Sequence, residues 1–322
     1  MRRHLSVPVA VAVLATAVPA LTGSSPATAR SGDAAPGHAR SKPLVIAHRA
    51  GTADAPENTL EAIRTSLRAG ADGQWLSVQA TRDGVPVLYR PTDLSSLTDG
   101  SGAVADHRLR DLAPLNAGYH FKDERGGYPY RARPVRIPTL AAALDAVPAG
   151  KQVYLDLKQA PARHVVDAVT RVLDEKRAWG RVRLYSTDAE VTGLLAKDPR
   201  ARVAESRDAT RQRLAEVALE RACKSTPPAG SWAGFELKRQ VTLQEKFTLG
   251  TGESAVTAQL WTRESVDCFR SADKGRTRTK ARTPIVMLGV NTPQDLRTAT
   301  RLGATAVLVD SPQQMVGARH GR

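Results

Sequence analysis

Aromatic side chains are scarce in this 322-residue chain: four Trp, four Phe and six Tyr make up 4% of it. So few rings leave little for the stacking platforms that hold single-stranded nucleic acids. No helix-turn-helix or zinc-finger spacing offers another route, so no nucleic-acid partner is expected. Cysteine is scarcer still. Cys223 and Cys268 are the only two, and they lack metal-ligand spacing. In an exported protein one disulfide between them is expected, the alternative being two buried thiols. Acids are outnumbered, with 32 Asp and Glu against 47 Lys and Arg, a formal net charge of +15. That balance favours anionic partners such as lipid head groups or phosphate-rich wall polymers.

Long apolar runs are absent beyond the first residues. Met1-Arg2-Arg3-His4 is basic, Leu5 to Leu21 is mostly Val, Ala and Leu, and Ala27-Thr28-Ala29 supplies small residues. Pro8, Pro19 and the short run argue against a membrane span. Residues 1–29 therefore read as a secretory signal peptide, and the protein is expected to be secreted. Its removal takes away Arg2 and Arg3, so +15 becomes +13. The Ser-, Gly-, Ala- and Pro-rich stretch that follows is a flexible linker, to residue 42.

From there apolar strands alternate with amphipathic helical runs. The strand candidates are Leu44–His48, Trp75–Ala80, Val85–Arg90, Gln152–Leu157, Val182–Ser186, Ala201–Ala204, Pro284–Leu288 and Thr305–Val309. Helical spacing marks Asn58–Ala69, Thr139–Val147, Ala162–Lys176 and Pro293–Leu302, the last stopped by Gly303. Eight strands with intervening helices predict an α/β fold, a (β/α)8 barrel over residues 43–316, with an open doubly wound sheet as the alternative. Residues 116–136 and 223–282 break the rhythm and read as insertions, and 317–322 as a tail. Lys274 to Arg282 carries five positive charges in nine residues.

The motifs lie early. Leu44-Val45-Ile46-Ala47 runs into His48-Arg49; Pro56-Glu57-Asn58-Thr59, Gly70-Ala71-Asp72 and Thr81-Arg82-Asp83-Gly84 follow in order. This succession resembles the glycerophosphodiester phosphodiesterase family, as do Ile137-Pro138-Thr139-Leu140 and Gly303 to Pro312. The resemblance implies the TIM barrel, His48 as a catalytic histidine and Arg49 as a catalytic-site phosphate contact. It also implies a divalent cation, Ca²⁺ or Mg²⁺, held by Glu-x-Asp on the second strand and by the Glu of a later Glu-x-Lys. Here those positions are Trp75 and Ser77, then Asp156 with Lys158. Two of three ligand positions have lost their acids, so no metal or other cofactor is expected. The family's second histidine aligns with Arg90, which cannot act as acid or base at ordinary pH.

What remains is a cationic mouth: His48, Arg49, Arg90 and Lys158 face Asp156, with Trp75 as an apolar or cation-binding wall or as core filling. It suits an anion held by charge-assisted hydrogen bonds. The expected function is binding of, or action on, a phosphodiester (a glycerophosphodiester, lipid head group or wall polymer), with metal-dependent hydrolysis impaired. The alternative is a metal-independent phosphoric diester hydrolase using His48, with Arg90 in place of the cation and an acid supplied by His107, His120 or Asp93. A monomer is expected, with peripheral contact to an anionic membrane or wall.

Overall fold

A computed structural model describes residues 42–158, 161–271 and 283–320. The expected signal peptide, nearly all of the linker and the basic strip Lys274–Arg282 lie outside the described residues. The strands are β1 (Leu44–His48), β2 (Gly73–Ala80), β3 (Pro86–Leu88), β4 (Gln152–Leu157), β5 (Val182–Tyr185), β6 (Ala233–Glu236), β7 (Arg239–Phe247), β8 (Gly250–Ala258), β9 (Ile285–Leu288) and β10 (Ala306–Val309). The α-helices are α1 (Leu60–Arg68), α2 (Leu109–Leu112), α3 (Pro129–Ala132), α4 (Leu140–Ala146), α5 (Ala162–Glu175), α6 (Ala189–Leu195), α7 (Arg207–Ala215), α8 (Arg263–Arg270), α9 (Pro293–Leu302) and α10 (Pro312–Arg319).

Seven parallel strands curl in the order β5-β4-β2-β1-β10-β9-β6, and β3 pairs antiparallel with β2. Between the two ends lies Ala201–Ala204, expected as a full strand. It makes only single bridges, Val203 to Leu184 of β5 and Ala204 to Trp232 beside β6, both parallel. The backbone bonds Ala204 N to Leu184 O (2.8 Å) and Glu205 N to Trp232 O (2.8 Å) carry the ring across. The result is the (β/α)8 TIM barrel that the alternation of elements predicts.

β2 is buried along all eight residues although it carries Gln74, Ser77 and Gln79. Buried amides need partners, and they have them: Gln74 shares two bonds with Ser66, and Gln79 Nε2 donates to Pro91 O at 2.8 Å. Gly73 starts the strand because a Cβ there would stand 2.5 Å from Gln152 O. Val165, Val166, Val169, Val172 and Leu173 form the buried stripe of α5, at helical spacing against the sheet. α9 ends at Gly303, whose φ of +85° suits glycine.

Two readings of the chain change. The segment 223–282 is not one insertion, since it holds barrel strand β6, the β7–β8 ribbon and α8. α10 runs to Arg319, so Gly317 to Arg319, expected in the tail, belong to a helix. Cys223 and Cys268 are bonded, with Cα atoms 5.6 Å apart, which ties the end of the α7 segment to α8.

Candidate functional site at the barrel mouth

β1 delivers His48 to the C-terminal end of the barrel. The β1–β10 register sets Ala47 beside Val309, which brings the following residue, Asp310, next to the histidine. His48 Nδ1 lies 2.6 Å from Asp310 Oδ1. The same carboxylate accepts from Thr52 Oγ1 at 3.2 Å and from Asn291 Nδ2 at 2.5 Å, while Asn291 Oδ1 takes the Asp310 backbone N–H at 2.8 Å. The His48 bond, helped by these donors, holds the Asp310 carboxyl below the usual carboxylate range despite partial burial. With Nδ1 committed to the carboxylate, Nε2 is the ring nitrogen left to face a ligand.

The loop after β1 is tightly wound: Arg49 and Ala50 have φ of +46° and +70°. Arg49 Nη1 donates to Glu57 Oε2 at 2.6 Å, so Glu57 ties the loop down and also fixes the guanidinium. Asn58 does not begin the helix. It sits at φ +57° and its Oδ1 accepts the Ser77 N–H at 3.0 Å, while Thr59 caps α1 by accepting from Ala62 N at 3.1 Å.

Across the mouth, Ser77 of β2 pairs in register with Asp156 of β4. Asp156 is 6% exposed, and burial pushes its carboxyl up, opposed by Lys158, the Trp75 indole N–H and Arg90. Lys158 Nζ stands 3.1 Å from Asp156 Oδ1, an ion-pair distance without the alignment of a hydrogen bond. Lys158 also donates to Thr187 Oγ1 at 3.3 Å. Asn58 Nδ2, Ser77 Oγ and Asp156 Oδ1 are all buried without a hydrogen-bond partner, as are Arg49 Nε and Glu57 Oε1. Such groups are costly unless something fills them. Arg90, Lys158, Ser186 and Thr187 line an open cleft of about 600 Å³ beside this cluster.

Trp75 is a correction. It is 3% exposed and forms no wall of the mouth. Its ring packs below, 5.8 Å from Tyr154, 5.1 Å from Tyr185 and 6.1 Å from Trp232 between centroids. The candidate acids also have structural employment. Asp93 caps a short helical turn through Ser95 N, His107 contacts Ser101 O at 3.0 Å, and His120 packs edge-on against Tyr119. The sequence reading missed a further group. Arg207 donates to both Glu236 oxygens at 2.6 and 2.7 Å and to Tyr185 Oη at 3.1 Å, at the ends of β5 and β6. Alternation along the strands was the available signal for Tyr185; nothing local marked Arg207.

At the positions that the resemblance assigns to a divalent cation, the chain presents Trp75, Ser77 and Asp156. Such an ion takes six or more hard oxygen ligands. Trp75 offers none, Ser77 offers a neutral hydroxyl, and Asp156 is paired with Lys158. Among the described residues, no three His, Cys, Asp or Glu side chains are grouped as ligands of one ion.

The glycerophosphoryl diester phosphodiesterase family model matches residues 48–229, more than half of the chain. The chain belongs to that family. An uncharacterized protein of Mycobacterium tuberculosis is 48% identical over 289 residues, 89% of this chain and 93% of that one. The crystal structure of the glycerophosphoryl diester phosphodiesterase domain of an uncharacterized M. tuberculosis protein superposes with a TM-score of 0.78 at 46% identity. It covers 88% of this chain and 100% of the other. Mouse glycerophosphodiester phosphodiesterase 1 is 38% identical over 122 residues, 37% of this chain and 35% of the mouse protein. Fold and family agree, as the early motifs implied.

Proposed function

We propose that this barrel recognises a phosphodiester at the mouth formed by His48, Arg49, Arg90 and Lys158, and that metal-dependent hydrolysis is impaired. The observation that supports it is the division of the mouth. One side keeps an oriented imidazole, His48 on Asp310 at 2.6 Å, next to Arg49. The other side offers Ser77 and a lysine-paired Asp156 in the positions of metal ligands. Guanidinium and ammonium groups suit phosphate oxygens. The +15 charge suits a head group or a phosphate-bearing polymer. The signal-like start and the Cys223–Cys268 bond favour an exported protein.

A second reading, hydrolysis without a metal, draws on the same dyad and on Arg90, whose charge reaches Asp156. His48 Nε2 takes a proton from water as its oxygen bonds to phosphorus. The bond to the leaving alcohol breaks, and that oxygen takes a proton from solvent. Arg90 and Lys158 then stabilise the phosphoryl charge.

Incubating the mature protein with glycerophosphocholine, with and without Ca²⁺ or Mg²⁺, separates the readings. The first expects saturable binding that is lost in His48→Ala, with no metal-stimulated turnover. Metal-independent turnover lost in both His48→Ala and Arg90→Ala selects the second. Metal-stimulated turnover abolished by His48→Ala overturns the first.

A further inference from the structure

The β7–β8 ribbon leaves the barrel at its mouth. Glu236, the last residue of β6, pairs with Arg239, the first of β7, at 3.0 Å, and with Arg207 at 2.6 Å. From that fastening the two strands pair from Arg239–Ala258 to Phe247–Gly250. At about 3.4 Å per residue the ribbon is roughly 30 Å long. Nearly every residue on it is exposed.

Of its exposed apolar side chains, Phe247 and Leu249 stand at the far end, Leu243 midway and Val256 near the base, opposite Val241. Leu243 is 55% exposed, Phe247 62% and Leu249, in the connecting turn, 99%; Val256 adds 39%. The Phe247 ring lies across Gly252, with Cε2 only 3.0 Å from where a Cβ would be, so a side chain there would displace the ring. The two neighbouring apolar groups at the projecting tip mark a candidate contact surface.

We propose that this ribbon tip inserts into the surface of an anionic lipid membrane and tethers the barrel there. A second protein copy fits less well. A stable protein contact needs about 800 Å² of complementary surface on each partner. Glu245 lies between Leu243 and Phe247 on the same strand face, so the apolar surface is not continuous. The acyl boundary of a bilayer accommodates an isolated convex wedge, with apolar burial and charge attraction acting together. The charge that draws it to an anionic surface is that of the whole chain, +13 without residues 1–29, since the ribbon itself balances Arg239 and Lys246 against Glu245 and Glu253.

The test is co-sedimentation of the mature protein with phosphatidylcholine vesicles, with and without phosphatidylglycerol. Wild type is expected to sediment with the anionic vesicles, less so at high salt. Phe247→Ser with Leu249→Ser is expected to weaken that binding at least tenfold, with the melting temperature unchanged because both sites are exposed. Thr242→Ser, on the polar face, is the control and should bind as wild type does. Unchanged binding of the double variant, equal binding to neutral vesicles, or no binding to either overturns the proposal. So does a wild-type dimer that the double variant dissolves. None of these outcomes depends on phosphodiester recognition at the mouth.

Discussion

His48 and Asp310, 262 residues apart in sequence, meet at 2.6 Å across the first and last barrel strands. Closing the ring of staves brings them together, and Asn291 and Thr52 hold the carboxylate in place. The pair therefore reports on barrel closure as well as on the mouth. Asp310→Asn keeps the shape and removes the charge. It is expected to weaken glycerophosphocholine binding or turnover at least about tenfold, read by calorimetry or product assay.

The same variant changes acid stability. Asp310 lies below its ordinary value of 3.8 in the folded protein. A depressed carboxyl contributes stability above its unfolded pKa and loses it as pH falls through the folded value. Asp310→Asn should flatten that loss, so the melting temperatures of the two proteins differ at pH 6 and converge as pH falls below 3.8 and on through the folded value.

Asp156 has the opposite sign. Its folded carboxyl is raised by burial, so its contribution is fullest below the unfolded value and fades as pH rises through the folded one. The melting temperature of Asp156→Asn relative to wild type is expected to be more favourable at pH 7 than at pH 4. Thermal scans at the two pH values check this, and a pH-independent difference would count against it.

Glu205 and Arg213 form a buried pair at 2.5 Å, with Thr210 Oγ1 on Glu205 and the Ser225 carbonyl on Arg213. Removing one partner strands the other charge away from water. Arg213→Ala should cost about 3–5 kcal/mol, measured by urea unfolding. Arg213→Ala combined with Glu205→Ala should cost less than the sum of the two single changes.

Cys223 and Cys268 close a loop across 45 residues that contains β6 and the ribbon. Loop-closure entropy puts the contribution at about 4 kcal/mol. Cys223→Ser with Cys268→Ser, or treatment with a reductant, should lower the unfolding free energy by roughly that amount, with secondary structure unchanged by circular dichroism.

The barrel was legible because parallel strands read as apolar runs and their helices as amphipathic ones. Gln152–Leu157 and Pro293–Leu302 match the expectation residue for residue. β6 was not legible: Ala233-Gly234-Phe235-Glu236 is only four residues long and contains a glycine. Ala201–Ala204 reads as a strand but makes only bridges, because pairing depends on where its neighbours lie. At the site, local motifs pointed to His48 and Arg49, while the Asp310 and Asn291 partners came from distant staves whose contact no spacing reveals. Trp75 stood equally for wall or core until its neighbours Tyr154, Tyr185 and Trp232 were placed.

Those four rings are four of the chain's fourteen aromatic side chains, and all are nearly inaccessible to water. They form a plug beneath the mouth. A carboxylate introduced at position 75 would do more than add a ligand: it would open a void in a mutually braced stack and strand a charge inside it. Engineering a cation site here thus requires redesigning an entire layer of the barrel, and any history that installed the indole made the path back a steep one.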